Sequence, residues 1–221
     1  YYNPAEQGIR DLLTAGIAEM LDNYAVDGVH FDDYFYPTTD ASFDADSYKT
    51  YRYEGGLLTL ADWRRQNVDK LLAQIHQLCA SKGVPFGVSP AGNISRVTNE
   101  MYADVALWGS SYGYVDYLCP QIYWGFKHDT MPFLPVLNDW LGIVTHASVK
   151  LYIGLPAYKL GEADTGAGSG KNEFKNDTEI ISRMVISTRD MHCDGFLVYS
   201  YTAMATGTNA KETDALRELL E

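Results

Sequence analysis

Two adjacent carboxyl groups, Asp32 and Asp33, close the segment Asp27-Gly-Val-His-Phe-Asp-Asp-Tyr34. Side chains alternate along a strand. If Val29 and Phe31 pack under helices, His30 and Asp32 share the opposite face. Asp33 follows where the strand opens into its loop, and Tyr34 comes next. Two carboxyls in a small space do not both ionise easily, so one pKa is expected to rise. The raised group then serves as a general acid while its neighbour orients or stabilises. A competing reading makes the pair a helix cap, as Asp at a strand–helix junction often is. The next strong helical pattern begins about thirty residues later, which weakens that reading. His30 is either a satisfied core histidine or a group of the same cleft.

Further candidates stand at other strand ends. In Cys119-Pro-Gln-Ile-Tyr-Trp124, alternation puts Gln121 and Tyr123 on one face. An amide and a phenol there can hydrogen-bond hydroxyls or an acetamido group, and Trp124 either stacks on a ligand or packs under the loop. Ser89, Asn93, Tyr158, Lys159, Tyr199 and Tyr201 lie near the C-terminal ends of predicted strands. Trp63, Arg64 and Asn67 open a predicted helix on that same side. Arg64 either holds a carboxylate, from Asp33 or a ligand, or lies on the surface.

Five apolar runs are expected as buried strands: Val26–Phe31, Pro85–Ser89, Val115–Tyr123, Leu151–Pro156 and Phe196–Tyr201. Helical patterns separate them. Asn3, Pro4 and Glu6 predict a capped start for the first helix. A second is expected from about Asp62 to Ser81, stopped near Gly83. Others are expected near Asn99–Trp108, Pro135–His146, Thr178–Met191 and Ala210–Leu220. Strict alternation implies a parallel α/β sheet with right-handed crossovers. The first strand lacks the glycine-rich turn of a dinucleotide-binding sheet. Polar and aromatic residues instead gather at strand ends, where (β/α)₈ barrels keep their active sites. A TIM-type barrel needs eight strands, so five predict an incomplete barrel, about strands 4–8 with their helices. The expectation is a single C-terminal barrel part over 1–221, with about three βα units preceding it. Open edges invite pairing, so another copy of the chain is a second way to cover them. Two long connections, Tyr34–Thr59 and Tyr158–Asp177, are expected to be functional or mobile. The glycines from Gly161 to Gly170 suggest a flexible lid.

The net charge of −12 argues against a nucleic-acid partner, which needs a basic footprint. No apolar run reaches the length of a membrane span. The 17 tyrosines and 4 tryptophans offer flat apolar faces with polar edges, which suits an oligosaccharide or polysaccharide substrate. Three cysteines and five scattered histidines form no metal-ligand spacing, so neither metal nor cofactor is expected.

The segments Asp27–Pro37, Asp62–Asn67, Phe86-Gly-Val-Ser-Pro90, Pro120–Trp124 and Leu151-Tyr-Ile-Gly-Leu155 together resemble the glycosyl hydrolase-like 10 family. The resemblance implies a bacterial barrel glycosidase, with peptide-free peptidoglycan strands among the family's substrates. It also implies a secreted or cell-envelope location. Ser89-Pro90 stands where many glycosidases place a second carboxylate. The adjacent acids resemble instead those of substrate-assisted N-acetylhexosaminidases, in which the substrate's acetamido oxygen attacks. On that pattern Asp32 and Asp33 divide the acid and orienting roles, and Tyr123 touches the acetamido group. The alternative is a non-catalytic carbohydrate-binding barrel. A barrel acting on a phosphorylated small molecule ranks last, because the last strand's tip has no basic residue.

Overall fold

Each predicted strand forms, and all but β4 are shorter than their apolar runs. In the computed structural model, which describes residues 1–32, 35–205 and 209–221, the chain runs through α1 Gln7–Asn23, β1 Val29–Phe31, α2 Ala45–Tyr53, α3 Leu60–Ser81, β2 Phe86–Val88, α4 Ile94–Asn99, α5 Val105–Ser110, β3 Tyr117–Leu118, α6 Phe133–Ile143, β4 Lys150–Leu155, α7 Glu173–Asn176, α8 Ile180–Asp190, β5 Gly195–Val198, α9 Tyr201–Ala205 and α10 Ala210–Leu220. Five parallel strands with helical connections make this an incomplete TIM-type barrel.

The chain forms two compact units. The first holds Tyr1–Pro90, Ile94–Leu118 and Val144–Val149; the second holds Ala91–Asn93, Cys119–Ile143 and Lys150–Glu221. In the first, β1 pairs with β2 and β2 with β3, in register Val29↔Phe86, His30↔Gly87 and Gly87↔Tyr117. Phe86, Val88 and Leu118 are fully buried, as are Val68, Leu72, Ile75 and Cys79 on the apolar stripe of α3. Helix α3 starts in a reciprocal cap: the Asp62 N–H donates to Thr59 Oγ1, and that hydroxyl donates to the Asp62 carboxylate at 2.6 Å. It ends where Gly83 takes a left-handed φ of 72°.

The second unit pairs β4 with β5 in register Tyr152↔Gly195 through Leu155↔Val198. Gln121, three residues beyond β3, bridges in parallel to Ala91 and to Gly154. Ile153 and Leu155 are buried, with Leu137 and Trp140 of α6 and Ile181, Met184 and Val185 of α8. Helix α8 is capped from another helix: Glu212 of α10 accepts from the N–H groups of Ile181 and Ser182 and from the Ser182 hydroxyl.

Four local expectations change. The helix expected near Asn99–Trp108 is replaced by two short ones, α4 ending at Asn99 and α5 beginning at Val105. Asn3 does not cap α1; its side chain accepts from the Ala5 N–H in a turn, and the helix begins three residues later than expected. The connection after β1 contains α2. The glycine-rich connection after β4 is not a free lid. Asp164 N–H bonds Lys171 O, Gly161 N–H bonds Phe174 O, and Asp129 accepts from both the N–H and the hydroxyl of Ser169. Gly170 packs so close that a Cβ would lie 2.5 Å from the Lys127 carbonyl oxygen. The glycines there serve close packing as well as turning.

Candidate functional site

The end of β1 forms as the alternation predicts. Val29 is buried and His30 beside it is exposed; Asp32, one residue past the strand, is exposed too. Phe31 packs edge-on against Phe86 at 5.0 Å. Asp32 also borders a cavity of about 240 Å³ whose walls include Tyr1, Tyr2, Leu13, Phe31, Phe35 and Val68. The carboxyl therefore stands at the rim of a mainly apolar hollow. Asp33 and Tyr34 lie outside the described residues.

His30 is held by a residue that strand reading did not select. Its Nδ1 lies 2.9 Å from the Tyr117 hydroxyl, and the two rings stack at 5.8 Å. Gly87 occupies the same row between them, and a Cβ there would fall 2.0 Å from the Tyr117 ring. Only a glycine lets the ring cross β2 to reach the imidazole. Burial pulls the His30 pKa below its ordinary value, and Asp32 pulls the other way. A neutral imidazole two residues before Asp32 is the result near neutral pH. The glycine inside an otherwise apolar strand was the available signal.

Trp63, Arg64 and Asn67 take packing roles in place of the expected substrate contacts. All three are buried on the first turns of α3. Arg64 binds Asp44 with two donors, at 2.5 and 2.8 Å. Trp63 packs against Tyr48 and Tyr51 of α2. Asn67 is enclosed, and its Nδ2 has no protein hydrogen-bond partner among the described residues. Helix-start position pointed these residues toward the strand ends, but α2 and the loop before it cover them.

Ser89 is buried at the end of β2, with its N–H on the Phe31 carbonyl at 2.7 Å. In the second unit, Asn93 and Gln121 are half-buried. Tyr123, Tyr158 and Tyr199 come together at the ends of three strands. Tyr123 and Tyr199 stack at 6.2 Å, and Tyr158 meets them edge-on at 5.6 and 5.8 Å. Tyr158 remains 44% exposed and Tyr199 58%, so the cluster presents faces and hydroxyls outward. Burial, then Asp164 and Tyr199, raises the Tyr158 pKa, so its phenol stays a donor. The Lys159 ammonium donates to the Tyr123 carbonyl and to Asp164, both at 2.7 Å. It ties the long loop to the end of the third strand. Trp124 stands apart from the tyrosines, edge-on to His128 at 6.3 Å. Tyr201 opens α9 and is highly exposed. No metal-binding cluster of His, Cys, Asp and Glu exists among the described residues. None of the described helices is long and apolar enough to cross a membrane.

Parallel strands with helical crossovers define a (β/α)-barrel fold, with an exposed acid at a strand end of the first unit and exposed phenols at strand ends of the second. Residues 1–168 match the model of the glycosyl hydrolase-like 10 family, and the chain belongs to that family. It is 38% identical over 177 residues to glycosyl hydrolase DigH of Escherichia coli K12, covering 72% of this chain and 40% of that protein. It is 31% identical over 211 residues to glycosyl hydrolase YngK of Bacillus subtilis, covering 87% and 41%. The chain thus spans about two fifths of the length of these relatives. Its fold is similar to the glycoside hydrolase domain of PgaB (BpsB) from Bordetella bronchiseptica, with a TM-score of 0.64 and 12% identity. That likeness covers 99% of this chain and 63% of the other.

Proposed function

We propose that this chain is the acid-bearing part of a glycoside hydrolase that cleaves O-glycosidic bonds in an N-acetylhexosamine-containing glycan, with peptide-free peptidoglycan as the first candidate. The observation that carries the reading is the exposed carboxyl of Asp32 at a barrel strand's C-terminal end, in a member of a glycosyl hydrolase-like family. Asp32 and Asp33 divide two roles: one protonates the leaving oxygen and the other orients the acetamido group, whose oxygen attacks the anomeric carbon. Tyr123 hydrogen-bonds that acetamido group, and the Tyr158 and Tyr199 faces stack on sugar rings. The reading includes about three further βα units that complete the barrel and an extracytoplasmic, cell-envelope location. Another copy of the chain covering an open strand edge is part of the same proposal.

The test is release of reducing ends from peptide-free glycan by the full-length protein. Asp33→Asn is expected to lower kcat at least 100-fold, and glucans lacking N-acetyl groups are expected to resist. Full activity in Asp33→Asn, or equal cleavage of such glucans, contradicts the mechanism. A second reading, a non-catalytic carbohydrate-binding barrel, draws support from the exposed tyrosine cluster. Binding of N-acetylglucosamine oligomers without turnover is its signature.

A further inference from the structure

We propose that Tyr117 is a positioning residue: reaching across Gly87, it holds the His30 imidazole so that Nε2 is the ring nitrogen offered to a sugar hydroxyl of the substrate at the end of β1. The proposal rests on the reading of that strand end, marked by Asp32, as part of a glycosidase site.

Strand pairing puts the three residues in one row, with His30 opposite Gly87 and Gly87 opposite Tyr117. Neighbouring strands lie about 4.8 Å apart, so the backbones of His30 and Tyr117 stand roughly 10 Å apart across β2. A tyrosine bridges that gap only by lying flat over the middle strand. Gly87 makes this possible: an added Cβ would fall 2.0 to 2.3 Å from three carbons of the ring. Its φ is not positive, so the glycine serves space rather than a turn. The Tyr117 hydroxyl then meets His30 Nδ1 at 2.9 Å, and the two rings stack with 22° between their planes. The stack fixes the plane of the imidazole. The hydrogen bond fixes which edge faces Tyr117, since a flipped ring would put a carbon against the phenol.

His30 is exposed, and its Nε2 has no protein hydrogen bond among the described residues. Partial burial favours the neutral ring. A neutral imidazole carries one N–H and one lone pair, so the phenol's role at Nδ1 decides the role left for Nε2. Where the phenol donates, Nε2 carries the proton; where it accepts, Nε2 offers the lone pair. A sugar hydroxyl both donates and accepts, so it pairs with either. Asp32, two residues on, acts electrostatically on the same imidazole. A sugar whose glycosidic oxygen meets Asp32 can thus place a neighbouring hydroxyl on Nε2. Groups that bind a reacting substrate must be held to within about 0.5 Å, and the two Tyr117 contacts supply that restraint.

The experiment uses the full-length protein, isotopically labelled at the histidine nitrogens, with Tyr117→Phe, His30→Ala and the double variant. Tyr112→Phe, which removes an exposed phenol of the same unit, is the control. In the parent protein, a saturating N-acetylglucosamine oligomer is expected to move the His30 Nε2 signal more than the Nδ1 signal. An Nε2 signal that stays in place overturns the substrate contact. Tyr117→Phe keeps the ring but loses the hydroxyl, so the two nitrogen signals are expected to draw together as the tautomers mix. Unchanged signals overturn the positioning role. Gly87→Ala, which displaces the ring instead, stands in should Tyr117→Phe not fold. On peptide-free glycan, Tyr117→Phe is expected to lower kcat/KM about tenfold alone and less than about twofold in the His30→Ala background, because it acts through His30. An equal fall in both backgrounds, or none in either, overturns that. The control leaves the His30 signals unchanged and the rates within twofold. Should the parent protein release no reducing ends, the hydrolase reading fails separately. The spectroscopic arms need no turnover and still decide whether Tyr117 holds His30 and whether Nε2 meets a sugar.

Discussion

The two units fasten their strand-end loops with ion pairs of opposite character. In the first, Arg64 and Asp44 are fully enclosed and joined by two hydrogen bonds between planar groups. In the second, Lys159 and Asp164 keep 19% and 13% of their side chains exposed and share one contact, with the Tyr123 carbonyl as a further acceptor. Enclosure changes what each pair does. A buried pair contributes little net stability over an apolar substitute, but losing one member strands the other without water. A partly exposed pair loses far less, because solvent replaces the partner. The loop ahead of α2 is therefore held by an enclosed pair, while the loop after β4 is held by one that solvent reaches.

The sharpest way to break this comparison is to remove one partner from each pair. Asp44→Ala is expected to cost about 3–5 kcal/mol in urea denaturation, because the guanidinium stays buried and unpaired. Lys159→Met is expected to cost about 1 kcal/mol or less. Equal losses would mean that enclosure does not distinguish the two.

Next in size is Gly87→Ala. The Tyr117 ring must leave its place over β2, which is expected to cost about 1–3 kcal/mol as an overpacking effect. The His30 contact should be lost with it, visible as a change in the imidazole NMR signals.

A pH experiment sharpens the first unit's side. Burial, against the Trp108 indole hydrogen bond and with Asp104 nearby, pushes the Asp69 carboxyl up to about 7. Its folded pKa thus exceeds the unfolded value near 3.9. The stability it contributes is complete below about pH 4 and is lost as pH rises toward 7. Asp69→Asn keeps an acceptor for the indole and removes that slope. It should stabilise the protein at pH 8 relative to pH 4 by about 1–2 kcal/mol, a figure reduced for the partial exposure of the group. A parallel pH dependence in variant and parent would contradict this.

The smallest stability effect belongs to the tyrosine cluster. Tyr199→Ala should change stability by less than about 1 kcal/mol, since the side chain is largely exposed. It should weaken binding of an N-acetylglucosamine oligomer about fivefold in calorimetry, a loss of about 1 kcal/mol of stacking. Unchanged binding would remove Tyr199 from the ligand surface.

Much of the frame was legible before any coordinates. The five apolar runs with helical patterns between them predicted parallel strands, and all five strands lie inside or within a residue of those runs. Alternation correctly put Val29 inward and His30 outward. Tyr123, Tyr158 and Tyr199 were selected because they stand at strand ends, and they do meet. Trp63, Arg64 and Asn67 were misjudged because being at the start of a helix says nothing about what covers it. The partners of Lys159, a carbonyl 36 residues away and a carboxylate across a loop, were likewise invisible to local pattern.

The sequence by itself determined the alternation of strands and helices and the presence of an acid and phenols at strand ends. Those features follow from local periods of two and 3.6 residues and from turn-forming residues. Only the tertiary structure decided that Arg64 would grip Asp44 twenty residues away, and that Tyr117 would cross Gly87 to reach His30. Such pairings depend on which surfaces meet when the chain closes on itself, and no local period carries that information.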